Sequence, residues 1–153
     1  YYRMHWKEWL TNSIDTWEPH VNRAERFGFK LLLENVYETN PEVHCALFNA
    51  ISSDAFGFCL DVGHHHIFGK NPLQEWVETL GDKIMELHLH DNNGHNDSHG
   101  PIGSGTAPFK ELFQYLHDQE KRPVVTLEPH EEATLWVSLE NLEKLWPWQE
   151  EGP

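Results

Sequence analysis

Four short apolar runs punctuate the chain, and a helical pattern follows each one, with strand starts roughly every 30 residues. The runs are KLLLENV at 30–36, GFCLDVGH at 57–64, KIMELHLHD at 83–91 and PVVTLEP at 123–129. Strict alternation of strand and helix allows few folds. Parallel neighbours need a crossover, the crossover helix packs back on the sheet with a right-handed sense, and the product is a parallel α/β sheet. A helix comes first: Ile14, Trp17, Val21, Ala24 and Phe27 share one helical face, Pro19 is expected near the first turn, and Gly28 is the stop. Asn40 as N-cap and Pro41 at the first helical position open the next helix, expected to reach Ser52, and a second Asn-Pro opens a helix at 71–81. Further helices are expected at 107–122 and 131–146, the last with acids in its first turn. The expectation is one domain over residues 1–153: a helix, four parallel βα units, and a polar tail at 147–153.

Side chains alternate faces along a strand, so the runs can be phased. Leu32, Glu34 and Val36 share a face in the first run; Cys59, Asp61 and Gly63 in the second; Glu86, His88 and His90 in the third; Val124, Thr126 and Glu128 in the fourth. The opposite faces are aliphatic (Leu31 and Leu33; Phe58, Leu60 and Val62; Met85, Leu87 and Leu89; Val125 and Leu127) and suit packing beneath helices. Each polar face ends in a metal-competent group: Glu34, Asp61, His88, Glu128. Parallel sheets and barrels build their sites at these C-terminal strand ends. One such carboxylate is ordinarily solvated or ion-paired. Four groups in phase on consecutive strands are not, because burying several carboxylates without a cation costs on the order of several kcal/mol each. Oxygen donors with one imidazole suit a divalent cation, with Mn, Mg, Co and Zn all open.

The stretch HLHDNNGHNDSH, His88 to His99, extends the third strand into a loop almost devoid of core residues. A solvated loop, a cluster of titrating histidines and a metal site all fit it. His64 lies three residues after Asp61, across Gly63, and can turn into the same mouth. Asp97 and His99 are two apart and point the same way if the loop is extended. The glycines of PIGSG either bring backbone close to a bound group or form an ordinary turn into the helix at Phe109. His65, His66, His90, His95 and His130 line the mouth or are merely exposed, and exposure is the simpler reading.

The chain carries 25 Asp and Glu against 11 Lys and Arg, a formal charge of −14. That surface repels phosphate backbones and disfavours nucleic acid as a partner. No apolar run approaches the roughly 20 residues of a membrane span. Cys45 and Cys59 sit in apolar settings and read as buried thiols of a cytoplasmic protein. The chain begins at Tyr1, and Met4 falls inside an amphipathic segment, so the start reads as cut.

LLLENVYE, CLDVGHHH, ELHLHDNNGHNDSHGPIGSG and VTLEPH, in that order and spacing, resemble the xylose isomerase-like TIM-barrel superfamily over 30–130. That group contains sugar and sugar-phosphate isomerases and epimerases, and endonuclease IV-type apurinic/apyrimidinic endonucleases. The resemblance implies that Glu34, Asp61, His88 and Glu128 hold one catalytic metal, that Glu34 and Glu128 also move the proton, and that His64 contacts substrate. In the nuclease branch the counterparts of His64, Asp97 and His99 hold a further zinc. A complete (β/α)8 barrel needs eight strands, and this chain has the expected last four. The fold expected is therefore the C-terminal half of a TIM barrel, either a fragment missing its N-terminal half or a half-barrel that pairs with a copy of itself. The activity expected is metal-dependent sugar or sugar-phosphate isomerisation or epimerisation. The alternatives are a zinc-dependent phosphodiesterase acting at abasic DNA and a non-catalytic metal-binding half-barrel. Against the phosphodiesterase stand the charge and the few arginines, Arg3, Arg23, Arg26 and Arg122.

Overall fold

Helix α1 (Trp6–Phe27) leads into a four-stranded parallel sheet in a computed structural model that describes residues 4–148. The order is β1 (Leu31–Glu34), α2 (Glu42–Ala50), β2 (Phe56–Asp61), α3 (Val62–Phe68), α4 (Leu73–Leu80), β3 (Ile84–Leu89), α5 (Phe109–Asp118), β4 (Val124–Leu127) and α6 (Glu132–Leu145). The strands lie side by side in chain order and every pair is parallel. This is the architecture of half a (β/α)8 barrel.

Helix α1 starts earlier than the sequence suggests, because Leu10 extends the apolar face of Ile14, Trp17, Val21 and Ala24 by a further turn. Pro19 therefore falls in the helix interior rather than its first turn. Gly28 ends the helix at φ +73°, with its N–H on Glu25 O and that of Phe29 on Ala24 O, so two of the four carbonyls left over at the helix end are met. Asn40 does assist the start of α2: its Oδ1 accepts from Glu42 N at 3.0 Å, one residue beyond Pro41. At the second Asn-Pro, Asn71 instead donates to Glu75 Oε1 at 2.6 Å.

The second strand does not run to His64. Asp61 caps a new helix, its carboxylate accepting from His64 N at 2.6 Å, and Val62–Phe68 coil as α3. A register shift also alters one expected face. Phe58 pairs with Ile84 but Cys59 with Glu86, so Met85 is the extra residue. Its sulfur fills the space over Gly57, on the side of Cys59 and Asp61, and Ile84 takes its place in the outer core. That core is formed by Phe56, Phe58, Leu60, Leu87 and Leu89 beneath Leu47, Trp76, Val77 and Phe113 of the helices. At the end of the chain, Trp148 packs on Trp146 and Phe113, so the expected tail is not free at 147–148; residues 149–153 lie outside the described residues. No helix among the described residues is long and apolar enough to cross a membrane.

Candidate metal centre

The register places the polar groups at one end of the sheet. Glu34 pairs with Cys59, Asp61 with His88, and His88 with Thr126. Glu128 follows β4, where its N–H continues the ladder to Leu89 O at 3.0 Å. Asn35 ties two strand ends together: its Oδ1 accepts from Asp61 N and its Nδ2 donates to Asp61 O, both at 2.9 Å. As a result Glu34, Asp61, His88 and Glu128 each offer one ligand atom, and these atoms all lie within 4.8 Å of one another.

His88 Nδ1 is 3.0 Å from Glu128 Oε1 and 3.5 Å from Glu34 Oε2. Asp61 Oδ2 is 3.4 Å from His64 Nδ1. Yet the buried His88 Nδ1 and Asp61 Oδ2 make no directed hydrogen bond. Both are left with capacity for a further partner. Donors bound to one divalent ion at about 2.0–2.2 Å stand up to about 4.4 Å apart, so a small closure of this group accommodates such an ion. Three carboxylates and one imidazole are a donor set that the divalent cations Mn, Mg, Co and Zn accept.

The electrostatics follow from the same contacts. The imidazoles of His64 and His88, 3.3 and 3.5 Å from its oxygens, hold the Glu34 carboxyl down at about 2, against the opposing push of burial. Glu34 in turn lifts His64 to about 9 and raises His88. His64 is fixed by its backbone on Asp61 and by Nδ1, which lies 3.0 Å from the Asn35 carbonyl. Its Nε2 faces the loop, 3.3 Å from Asp97 Oδ2.

The loop after β3 brings a second group alongside the first. His64, His90, Asp97 and His99 also offer ligand atoms within 4.8 Å of one another. His99, at φ +44°, places Nε2 3.3 Å from Asp97 Oδ1, and its Nδ1 lies 2.9 Å from the Glu128 carbonyl. The glycines of PIGSG wrap a carboxylate of the chain itself. Asp91 Oδ2 accepts from Gly103 N and Gly105 N, and Oδ1 from Asn92 N and Ala107 N, all at 2.8–3.0 Å. A side chain at Gly105 would collide with Asn92 O.

The lesser histidines divide. His95 is exposed, and His66 reaches Thr106 Oγ1. His65 is buried against Trp76 with Nε2 3.0 Å from the Asn71 carbonyl, a packing role. His130 stacks on His99 with centroids 3.8 Å apart. His90 is 1% exposed, against the expectation of an exposed or mouth-lining residue. Residue spacing does not mark out Asn35 or Asp91; it phases His90 with Glu86 and His88 but leaves it mouth-lining or exposed. An Asp before Asn-Asn-Gly is a turn signal that could have singled out Asp91; His90 carries no comparable local signal.

Residues 7–147 match the family described as the xylose isomerase-like TIM barrel. The chain belongs to this family. Among solved structures of the family fold, a D-tagatose 3-epimerase-like protein superimposes with a TM-score of 0.80 at 32% identity, covering 89% of this chain and 54% of its own. A Thermus thermophilus protein soaked with ZnCl2 superimposes with a TM-score of 0.72 at 29% identity, over 96% of this chain and 57% of its own. The fructoselysine 3-epimerase of Escherichia coli O157:H7 is 30% identical over 112 residues, 69% of this chain and 40% of the epimerase. The chain thus spans about half the length, or less, of the curated relatives it matches.

Proposed function

We propose that this xylose isomerase-like chain is part of a divalent-cation-dependent isomerase or epimerase of a small sugar or sugar phosphate, acting in the cytoplasm. The observation that carries the reading is the convergence of Glu34, Asp61, His88 and Glu128 at the C-terminal ends of four adjacent parallel strands. The 3-epimerase activities named for its relatives support it. Two free cysteines, Cys45 and Cys59, suit a reducing compartment.

A divalent cation bound by the four residues would polarise a sugar carbonyl and acidify the neighbouring C–H. The chain supplies the rest. Glu34 and Glu128 come from the first and last strands, and their side chains keep 32% and 30% of their surface open to the mouth. They flank a sugar lying across the strand ends from two sides. One carboxylate takes the proton from carbon and the other returns a proton. His64, held by Asp61 and Asn35, presents Nε2 to a hydroxyl or to the oxygen on which charge develops. The rest of the pocket wall, and with it the choice of sugar, falls to four further strands or to a second copy of this half-barrel. The formal charge of −14 suits a neutral sugar at least as well as an anionic one.

Glu128→Gln tests the assignment. Incorporation of deuterium from D2O at the substrate carbon, screened over a set of ketoses, should fall by about 10²–10⁴-fold. Glu128 is also one of the four candidate ligands, so metal content is measured alongside, and exchange should fall much further than the bound metal does. Exchange at the wild-type rate would remove Glu128 from proton transfer.

A further inference from the structure

His90 is the most deeply enclosed imidazole of the candidate centre, and both of its ring nitrogens lack a directed hydrogen bond. A Phe or Leu would fill the same space without that penalty, which is about 1–3 kcal/mol for each buried unsatisfied group. What a histidine adds is an N–H, and the acceptors facing it are few. Nε2 lies 3.1 Å from Asp61 Oδ1 and 3.8 Å from Asp97 Oδ1. Both His90 and Asp61 have 0% side-chain exposure, so bulk solvent does not reach this contact.

The surroundings are built around the ring. A side chain at Gly63 would collide with His90 Cε1, so the slot exists only because the first turn of α3 carries a glycine. Asn92 Nδ2 fixes that turn by donating to Gly63 O at 2.9 Å. The outer face of the slot is closed by His99, stacked on His90 at 3.6 Å with ring planes 7° apart, and His130 stacks on His99 in turn.

This stacking excludes His90 and His99 as joint ligands of one ion. An imidazole binds an ion in the plane of its ring, at about 2.0–2.1 Å. Two nearly parallel rings 3.6 Å apart direct their lone pairs along separate planes, so His90 and His99 do not converge on one ion. Of the two carboxylates facing Nε2, Asp61 is the nearer and is itself fully buried. The Asp61 carboxylate has Oδ1 engaged by His64 N at 2.6 Å and faced by His90 Nε2, while Oδ2 makes no hydrogen bond and points into the group with Glu34, His88 and Glu128.

We propose that His90 is a positioning residue: on cation binding its Nε2–H closes the 3.1 Å approach to Asp61 Oδ1 into a hydrogen bond and so aims Oδ2 at the cation. The inference rests on reading Glu34, Asp61, His88 and Glu128 as the cation site. Outer partners that orient a ligand typically set metal affinity by about 10–100-fold.

The test compares zinc binding by wild type, His90→Phe and His90→Gln, measured by chelator competition, with the visible spectrum of the cobalt-loaded proteins as a reporter of ligand geometry. His90→Phe fills the slot without an N–H. It should weaken zinc binding by about 10–100-fold and alter the cobalt bands, while the metal-free protein melts no lower than wild type. His90→Gln restores a donor and should recover most of the affinity. Wild-type affinity and spectrum in His90→Phe would overturn the proposal and leave His90 a packing residue. Loss of a second equivalent of metal, with the first bound as before, would overturn it too, by making His90 a ligand. If wild type binds no metal, the cation-site reading fails and the His90 role fails with it. Should His90→Phe not fold, His90→Gln against His90→Met gives the same donor-versus-no-donor comparison, and equal affinities would again overturn the proposal.

Discussion

Asp91 shows at the scale of one residue what organises the mouth loop. Its two oxygens accept four backbone N–H groups, from Asn92, Gly103, Gly105 and Ala107, and it is 1% exposed. Asp91→Asn keeps the shape but turns an NH2 toward N–H donors, leaving them unsatisfied. The expected cost is about 2–3 kcal/mol, read as a lower urea midpoint with an unchanged slope. A midpoint equal to wild type would show that the loop does not depend on this carboxylate. Asp91 also explains an expectation the fold corrected. Glycines at 103 and 105 signalled a close backbone approach, and the approach is real, but its target is inside the chain. Spacing along the chain announces that some group is cradled and not which one. The groups at the strand ends are different, because the alternation of a strand fixes their side: Glu34, Asp61, His88 and Glu128 could be phased from the sequence and do converge. Alternation puts His90 on the same face as His88 but does not show how deeply it is enclosed. Its slot is created by Gly63, 27 residues earlier, and closed by His99 from the returning loop.

Strands and helices were legible to different degrees for equally physical reasons. Four parallel strands follow from apolar runs bounded by turn residues, whereas α3 was hidden because Asp61 serves two purposes at once. As a strand-end carboxylate it faces the centre, and as an N-cap it ends the strand and starts the helix that carries His64. The packing of helices on the outer face carries its own pH signature. His44 of α2 is buried against Phe58 of β2 and Trp76 of α4, with ring centroids 4.7 and 6.3 Å away. Burial pushes its pKa down to about 4, only partly offset by the charge of Glu38. In the unfolded chain the imidazole titrates near 6.5. The unfolded state therefore takes up the proton first as pH falls. The stability contributed by neutral His44 is complete above pH 6.5 and is lost progressively as pH drops toward 4. The loss amounts to as much as about 3 kcal/mol. His44→Leu should remove this component, so the difference in urea stability between variant and wild type should shift in favour of the variant across that window. Parallel pH profiles for the two proteins would show that His44 is not what acid destabilises.

At the scale of the whole molecule, the sheet is unfinished. Among the described residues β1 and β4 each have one neighbour, and the strand order does not close. Val124 at the β4 edge is 64% exposed, and α6 presents Trp136, Val137 and Leu139 to solvent. Unpaired strand edges with apolar flanks are templates for association. The solved D-tagatose 3-epimerase-like relative is matched over 54% of its own chain. That the fold is half of a barrel was legible only in part. The parallel sheet follows from alternating elements, but four βα units also fit an open sheet, and it was the resemblance of the motifs that pointed to a barrel. The open edges give that difference a measurable consequence. The 153-residue chain on its own should sediment as a dimer or larger, with the distribution shifting toward monomer on dilution. Trp136→Glu combined with Val124→Lys places charge on the apolar helix face and the free edge, so it should move the equilibrium toward monomer at every concentration. If closure of the sheet by a second copy also completes the centre, zinc affinity should fall in step with the loss of dimer. A folded wild-type monomer at all concentrations in sedimentation velocity would show instead that these edges are stable uncovered, and that half a barrel is a self-sufficient fold here.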